Sequence, residues 1–378
     1  MRRTRLVSIA ALLAAGSVAL GACSSSGGGT TNPPSSGGST TGGSGSSSPA
    51  GAGGCEKGTM DAEGSTAQAN AMDAWIKAYQ QKCGATITYN PTGSGDGVTS
   101  FLAGQHAFVG SDSALDSAKG EITGAQKRCK SAPLDLPMVV GPIAIAFKLN
   151  GVQKLTLDGP TIAKIFLGRI KTWNDPAIAK LNSGVKLPRT KISVFYRSDS
   201  SGTTQNFERY LAATAGGIFK PKPDKDSSKS GFVGQGKAKS QGVADAVSHT
   251  DGGITYTEFS YAVSSGLATA SIDNGTGPVE LSKDTASAAA GAAKVVGTGK
   301  DLSLSLDYAT KATGAYPIIL VTYEVVCSAY SDAAQGKLVK SFLSYTAGDG
   351  QSLLPQLGYA PLPAELQTKV QAAIASSN

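Results

Sequence analysis

The residues of this chain best suited to chemistry lie in 193–209, SVFYRSDSSGTTQNFER, where Arg197 precedes the small-residue stretch Ser200, Ser201, Gly202 and Thr203. A β-rich run ends at Tyr196 and a helical pattern (Phe207, Tyr210, Leu211) follows, so the small residues fall at a helix start. The first N–H groups of a helix have no intrahelical partner, and its dipole favours negative charge there. With hydroxyls alongside and an arginine fork offering paired charge-assisted donors, the stretch can hold a tetrahedral oxyanion. Taken alone, SGT after a strand is an ordinary capped helix entry.

The device recurs twice. In EGSTAQANAMDAW, Met72, Trp75, Ile76 and Tyr79 fall at helical spacing, so Gly64, Ser65 and Thr66 form the entry to an amphipathic helix. TGSGDGVTSFLAG follows the strand-like ATITY; Gly93, Ser94, Gly95 and Gly97 free its backbone to approach a ligand ahead of a short helix with Val98, Phe101 and Leu102. Neither loop is a Walker loop and neither satisfies GxGxxG. A hydrolase needs a nucleophile with a base, or a metal cluster. His106 and His249 have no Cys, Asp or Glu at ligand spacing and GxSxG is absent, so no enzyme, metal or cofactor is expected.

Six stretches, GSTAQANAMDAW, TGSGDGV, VGSDSAL, LPMVVGPIAIAF, LDGPTIAKIFLGRIKTWNDPAIAKLN and RSDSSGTT, occur in this order. In that order and at these intervals the chain resembles the phosphate-binding protein of the high-affinity phosphate ABC transporter, over nearly everything from about residue 56 onward. The resemblance implies an α/β, two-lobed periplasmic-binding-protein fold of type II with the ligand in the interlobe cleft. It further implies lobe one from 55–142 and 316–378, lobe two from 143–315, and crossings through PIAIAFKLN and YPIILVTYEVV. Carried over residue by residue, its phosphate shell falls on Thr66, the N–H of Ala67, Ser94, Asp112, Arg197, Ser201, the N–H of Gly202, and Thr203. Ala67 stands where the family often has an aromatic residue, and Asp199 matches the carboxylate that orients the arginine. The implied partners are inorganic phosphate and a membrane permease, with the binding protein itself a monomer.

Asp112 gains a purpose on this reading, as acceptor for the proton that phosphate carries and sulfate lacks. A phosphate dianion and Asp112 together bring roughly −3, against +1 from Arg197 and roughly +0.5 from each of three helix starts, a sum near about −0.5. Near neutrality is what burial demands.

At the front of the chain, Arg2, Arg3 and Arg5 precede an apolar run from Leu6 to Leu20 that LGAC closes at Cys23, which reads as a secretory signal over 1–22 with a lipobox. Lipid on Cys23 would anchor the protein outside the cell membrane. Residues 24–54 hold no charge and are almost wholly Gly, Ser, Thr and Pro, so they read as a tether of about 30 Å. In an exported chain Cys55, Cys83, Cys129 and Cys327 are expected to form disulfides. Of the three possible connectivities, Cys55–Cys83 is favoured because the two flank the first strand and helix. Cys129–Cys327 then remains.

Removal of the three leader arginines lowers the formal charge of +7 to +4, too mild and scattered for a nucleic-acid surface. Strand-like runs (85–89, 139–147, 192–196, 253–257 and 318–326) alternate with helical ones (160–166, 175–181, 333–345 and 364–374), the order of an α/β fold.

Overall fold

The structure, a computed structural model, describes residues 54–377; the leader, Cys23 and the tether up to residue 53 lie outside the described residues. The first strands and helices run β1 (Thr59–Gly64), α1 (Ala69–Cys83), β2 (Thr86–Asn90), α2 (Ser94–Leu102), β3 (Val109–Ser111) and α3 (Glu121–Cys129). The 16-residue β4 (Pro133–Lys148) is buried at every position from Leu134 to Phe147. It leads through β5 (Thr156–Asp158), α4 (Gly159–Phe166) and α5 (Pro176–Leu181) to β6 (Ser193–Arg197), α6 (Gly202–Ala215), β7 (Gln235–Lys237), α7 (Lys239–Ser248) and β8 (Gly253–Glu258). Then come α8 (Phe259–Ser264), β9 (Ala268–Thr269), β10 (Ser271–Asp273), β11 (Pro278–Val279), α9 (Lys283–Gly291) and the hairpin β12 (Lys294–Val295) and β13 (Leu304–Ser305). The chain closes with β14 (Ile319–Cys327), α10 (Ala333–Ala347) and α11 (Ala364–Ala375).

The main sheet has the order β2-β1-β3-β14-β4-β8-β6-β7, with β9 also on β4. The strand that runs unbroken through it is β4. Its first part pairs antiparallel with β14 as far as Pro142↔Ile319, and from Ile143↔Glu258 it pairs with β8. A strand covered on both faces reads as one continuous apolar run, which is why LPMVVGPIAIAF shows no alternation. On one side of β4 the parallel set β2-β1-β3 carries α1 and α2; on the other, β6, β7 and β8 are parallel and joined by α6 and α7. In such units the loops after the strands' carboxyl ends form the crevice where ligands bind. Ser65, Asp112 and Asp199 all lie just beyond such ends.

The core fixes those ends. Trp75 of α1 is fully buried and donates Nε1–H to the Gly350 carbonyl at 2.8 Å. Beneath α6, Phe207 stacks on Tyr256 at 4.4 Å, with Phe166 edge-on to Phe207 at 4.9 Å. The Tyr256 hydroxyl accepts the Arg197 N–H at 3.2 Å and bonds Thr204 Oγ1 at 2.7 Å, so aromatic packing is tied to the strand end that carries the arginine. Both disulfides have the expected pairing, Cys55–Cys83 with Cα atoms 5.0 Å apart and Cys129–Cys327 with 5.4 Å.

Candidate oxyanion-binding site

Thr66, Ala67, Ser94, Asp112, Arg197, Ser201, Gly202 and Thr203 come together, and all are buried. Arg197 ends β6 and is 1 % exposed. Its Nε donates to Asp199 Oδ1 at 2.8 Å and its Nη2 to Asp199 Oδ2, a two-pronged ion pair that fixes the plane of the guanidinium. Asp199 also accepts the Lys239 N–H at 2.9 Å. Arginine and hydrogen bonds hold the Asp199 carboxyl below the usual carboxylate range against the opposing effect of burial. The remaining prong, Nη1, donates to Ser240 Oγ at 3.0 Å and Thr203 Oγ1 at 3.3 Å.

Ser201 caps α6, its Oγ accepting the Thr204 N–H at 3.2 Å. Gly202 is demanded by space: a Cβ there would lie 2.5 Å from Asp112 Cβ and 2.7 Å from Ser94 Oγ. The start of α6 is therefore pressed against Asp112 and the start of α2. Asp112 Oδ1 accepts the hydroxyls of Ser65 at 2.5 Å and Thr322 at 2.8 Å, and Oδ2 accepts that of Ser94 at 2.8 Å. Burial raises the Asp112 pKa, these hydroxyls pull it back, and the nearby Glu258 charge raises it further.

Contacts tie the two sides of the crevice together. Thr66 Oγ1 bonds Ser240 Oγ at 2.8 Å, Asn206 Nδ2 donates to the Asp112 carbonyl at 2.7 Å, and the Gly95 N–H donates to the Ser200 carbonyl at 3.0 Å. A cavity of about 540 Å³ adjoins Asp112, walled by Asn206, Arg209, Tyr308 and Tyr323 among others.

Three features differ from the sequence-based expectation. The glycines of TGSGDGV serve loop packing: a Cβ at Gly95 would strike Ser200 Oγ at 1.9 Å, and one at Gly97 would lie 2.6 Å from Gly64 Cα. Helix α1 starts at Ala69, because residues 66–68 form a turn in which the Ala67 N–H is bonded to Ser65 Oγ at 3.0 Å. His106, without acids at ligand spacing in the sequence, lies 2.6 Å from Asp61 and 3.6 Å from Glu63, two same-face residues of β1. Even so, no group of three His, Cys, Asp or Glu side chains fit to hold a metal occurs among the described residues.

The charge balance is also incomplete. Glu258 is fully buried, accepts Thr203 Oγ1–H at 2.5 Å through Oε1, and leaves Oε2 without a partner. Lys225, likewise buried, lies 3.8 Å from Glu121, and its carbonyl accepts the Ser201 N–H at 2.9 Å. Burial lowers the Lys225 pKa, with Glu121 and Asp112 opposing. Neither residue, nor Ser240 or Thr322, carries a local sequence signal. Lys239 takes φ 66° at the start of α7 and Ser240 follows it, in KAKSQG, which lacks the small-residue signature of the other helix entries.

Fold and site define an α/β solute-binding protein with an oxyanion crevice. The sequence model of the PBP superfamily domain matches residues 49–349. The phosphate-binding protein PstS2 of Mycobacterium bovis (strain BCG) is 44% identical over 388 aligned residues, covering 99% of each chain. Phosphate-binding protein PstS 3 of Mycobacterium tuberculosis (strain H37Rv) is 45% identical over 325, covering 84% of this chain and 86% of its own. A high-affinity periplasmic phosphate-binding protein, PfluDING, solved with bound phosphate at pH 8.5, superposes with a TM-score of 0.69 at 25% identity, covering 83% of this chain and 93% of its own. The chain belongs to the PstS family of phosphate-binding proteins, whose fold is the two-lobed periplasmic-binding-protein architecture.

Proposed function

We propose that the protein binds inorganic phosphate outside the cell membrane and hands it to an ABC permease for import. The observation that carries this reading is the convergence on one buried arginine, held flat by Asp199, of the starts of α2 and α6, the turn before α1, and the Asp112 carboxylate. Backbone N–H groups and the guanidinium supply the attraction, and Asp112 supplies an acceptor for a ligand proton. The binding groups are Thr66, the Ala67 N–H, Ser94, Asp112, Arg197, Ser201, the Gly202 N–H and Thr203. Arsenate, of like size and protonation, is the anion rejected least.

The lobes on this reading are 55–142 with 316–378, and 143–315; the change of β4 partner between Pro142 and Ile143 supports that division. The Thr66–Ser240, Gly95–Ser200 and Asn206–Asp112 bonds then join lobe to lobe, as in a closed form. The cavity beside Asp112 is the way in. Lipid on Cys23 and the uncharged tether hold the domain outside the membrane, as a monomer with no catalytic activity of its own. Titration of the purified protein with phosphate and with sulfate, followed by calorimetry, tests the reading. Saturable phosphate binding with no comparable sulfate binding is expected, and absence of phosphate binding refutes it.

A further inference from the structure

Away from the arginine, two ion pairs span the crevice. Lys119 precedes α3 and Glu121 begins it, while Asp224 and Lys225 are adjacent in the loop between α6 and β7. Lys119 Nζ lies 3.2 Å from Asp224 Oδ1, and Lys225 Nζ lies 3.8 Å from Glu121 Oε1. On the lobe division above, 119–121 belongs to lobe one and 224–225 to lobe two, so a cation and an acid on one side meet an acid and a cation on the other. Both ends are tied to the ligand loops. The Lys225 carbonyl accepts the Ser201 N–H at 2.9 Å, and Glu208 of α6 holds the same loop by accepting the Asp224 N–H at 2.8 Å and the Ser230 hydroxyl. Across the crevice, Glu121 Oε2 accepts the Asp116 N–H at 2.7 Å and the Asp116 carbonyl accepts the Glu121 N–H at 3.1 Å, which fastens the stretch that begins at Asp112.

Burial gives the inner pair its weight. Lys225 is 5 % exposed, its ammonium group has no hydrogen-bond partner among the described residues, and Glu121 is its one ion-pair partner there. A buried ammonium without a counter-charge costs far more than one in water, so Lys225 tolerates closure only because Glu121 meets it. Opening the lobes returns both charges to water. The outer pair, Lys119 with Asp224, is partly exposed and contributes less. We propose that Lys225 and Glu121, with Lys119 and Asp224 beside them, are a clasp between the lobes: they position the Asp112 loop against Ser201 and set how fast bound phosphate leaves. The inference rests on the phosphate and lobe readings above.

The two acids make the clasp distinguishable from a plain field effect. If Glu121 and Asp224 acted only through their charge, neutralising either would favour an anion in the crevice and slow its release. As members of a clasp they have the opposite effect, because each loss strands a cation and lets the lobes part.

The test follows release of radiolabelled phosphate into an excess of unlabelled phosphate, with dissociation constants from calorimetry, for wild type, Glu121→Gln, Lys225→Met and the double variant. The glutamine amide oxygen still accepts the Asp116 N–H, and methionine leaves the backbone carbonyl at 225 on Ser201, so only the ion pair is broken. Glu121→Gln should release phosphate about tenfold faster, with a matching rise in Kd and an unchanged association rate, within the range over which contacting pairs couple. Lys225→Met should also release it faster, and the double variant no faster than the worse single one, since neither charge is then stranded. Asp224→Asn, in the partly exposed pair, should speed release by about two- to threefold, and it stands in if Glu121→Gln does not fold. Without phosphate, where the lobes can part, the melting temperature of Glu121→Gln should stay at that of wild type; a merely structural role would lower it. Unchanged or slower release in both acid variants, or effects of Glu121→Gln and Lys225→Met that simply add, overturn the clasp. Failure of wild type to bind phosphate sinks the functional reading instead, and the clasp with it.

Discussion

Replacing Asp112 by asparagine should cost the protein its preference for phosphate over sulfate. In the wild type both carboxylate oxygens are occupied by hydroxyl donors, Oδ1 by Ser65 and Thr322 and Oδ2 by Ser94. Asparagine keeps an oxygen for the first two but presents an amide in place of the second oxygen, so Ser94 must turn its proton away. The freed hydroxyl and the new N–H can both donate to an unprotonated oxyanion. Sulfate thus exchanges a lone-pair clash for a donor, worth about 1–3 kcal/mol for one buried mismatched contact, and a charge is removed besides. At 1.4 kcal/mol per decade the gain is about 5- to 150-fold. Phosphate loses the acceptor for its proton, since the amide oxygen is already taken by Ser65 and Thr322, while its unprotonated oxygens gain the same donors that sulfate does. Competition titrations at neutral pH should therefore show the phosphate-to-sulfate ratio falling by at least about tenfold. A pH series adds a second check. Burial raises the Asp112 pKa, so its ionised, selective form is present above that raised value and is lost as pH falls through it. Wild-type selectivity should erode toward acid pH while the asparagine variant changes little. Equal ratios for the two proteins at neutral pH would refute proton reading by Asp112.

Arg197→Ala should remove measurable phosphate binding and lower stability by about 3–5 kcal/mol, since it strands Asp199 in a largely dry site; the double variant with Asp199→Ala should regain stability on thermal melting but not binding. Cys23→Ala should move the protein from the membrane fraction to the medium with phosphate affinity unchanged, because the tether separates anchor from site; retention in washed membranes would contradict it. The melting temperature should fall as pH rises from about 5 to about 8. Burial pushes Asp135 and Glu208 up to about 7 and Glu324 to about 8, so the folded chain keeps protons that the unfolded chain releases above its ordinary values. Asp224, held down to about 2 by hydrogen bonds to Asp226 N–H, Lys229 and Lys119 against burial, acts oppositely, losing its contribution only in strong acid. Glu208→Gln should flatten part of the alkaline decline.

The site's scaffold was legible where chemistry is local. Three small-residue loops after strands announce helix starts through turn and capping preferences that act over a few residues, and those starts meet in the fold. The run at 139–147 lies within β4 and that at 318–326 overlaps β14 from Ile319 on, although β4 begins six residues earlier, at Pro133, because its partner β14 extends the ladder to Cys327↔Pro133. What escaped is long-range. Thr322 reaches the site from a strand 210 positions beyond Asp112, and nothing in VTYEVV marks it out within a strand that is buried throughout. Glu258 ends the buried β8 and reads as an ordinary strand terminus, yet the fold brings it against Thr203. Lys225 lies in a lysine-rich loop, KPKPDKDSSK, where only the contact with Glu121 distinguishes it from its solvated neighbours. Helices α3, α7 and α9 carry short or alanine- and glycine-rich apolar faces, too weak a period to stand out.

These late arrivals change the electrostatic account of the crevice. With Arg197 as the only full charge, the three helix starts nearly cancel a bound dianion and Asp112. Asp199 offsets that arginine, however, and Glu258 adds a carboxylate with one oxygen unpartnered, while Lys225 is shared with Glu121. The side chains taken together do not make a positive pocket. The pull on an anion must therefore come mainly from N–H groups and helix dipoles, which attract any oxyanion. The carboxylates act as a filter on that pull. On the proposed phosphate reading Asp112 presents lone pairs to the ligand, and Thr203, having given its one proton to Glu258, has only lone pairs to offer as well. An anion that carries protons can meet them, and one that carries none cannot, so neutral dipoles give the protein its affinity and buried acids give it its choice.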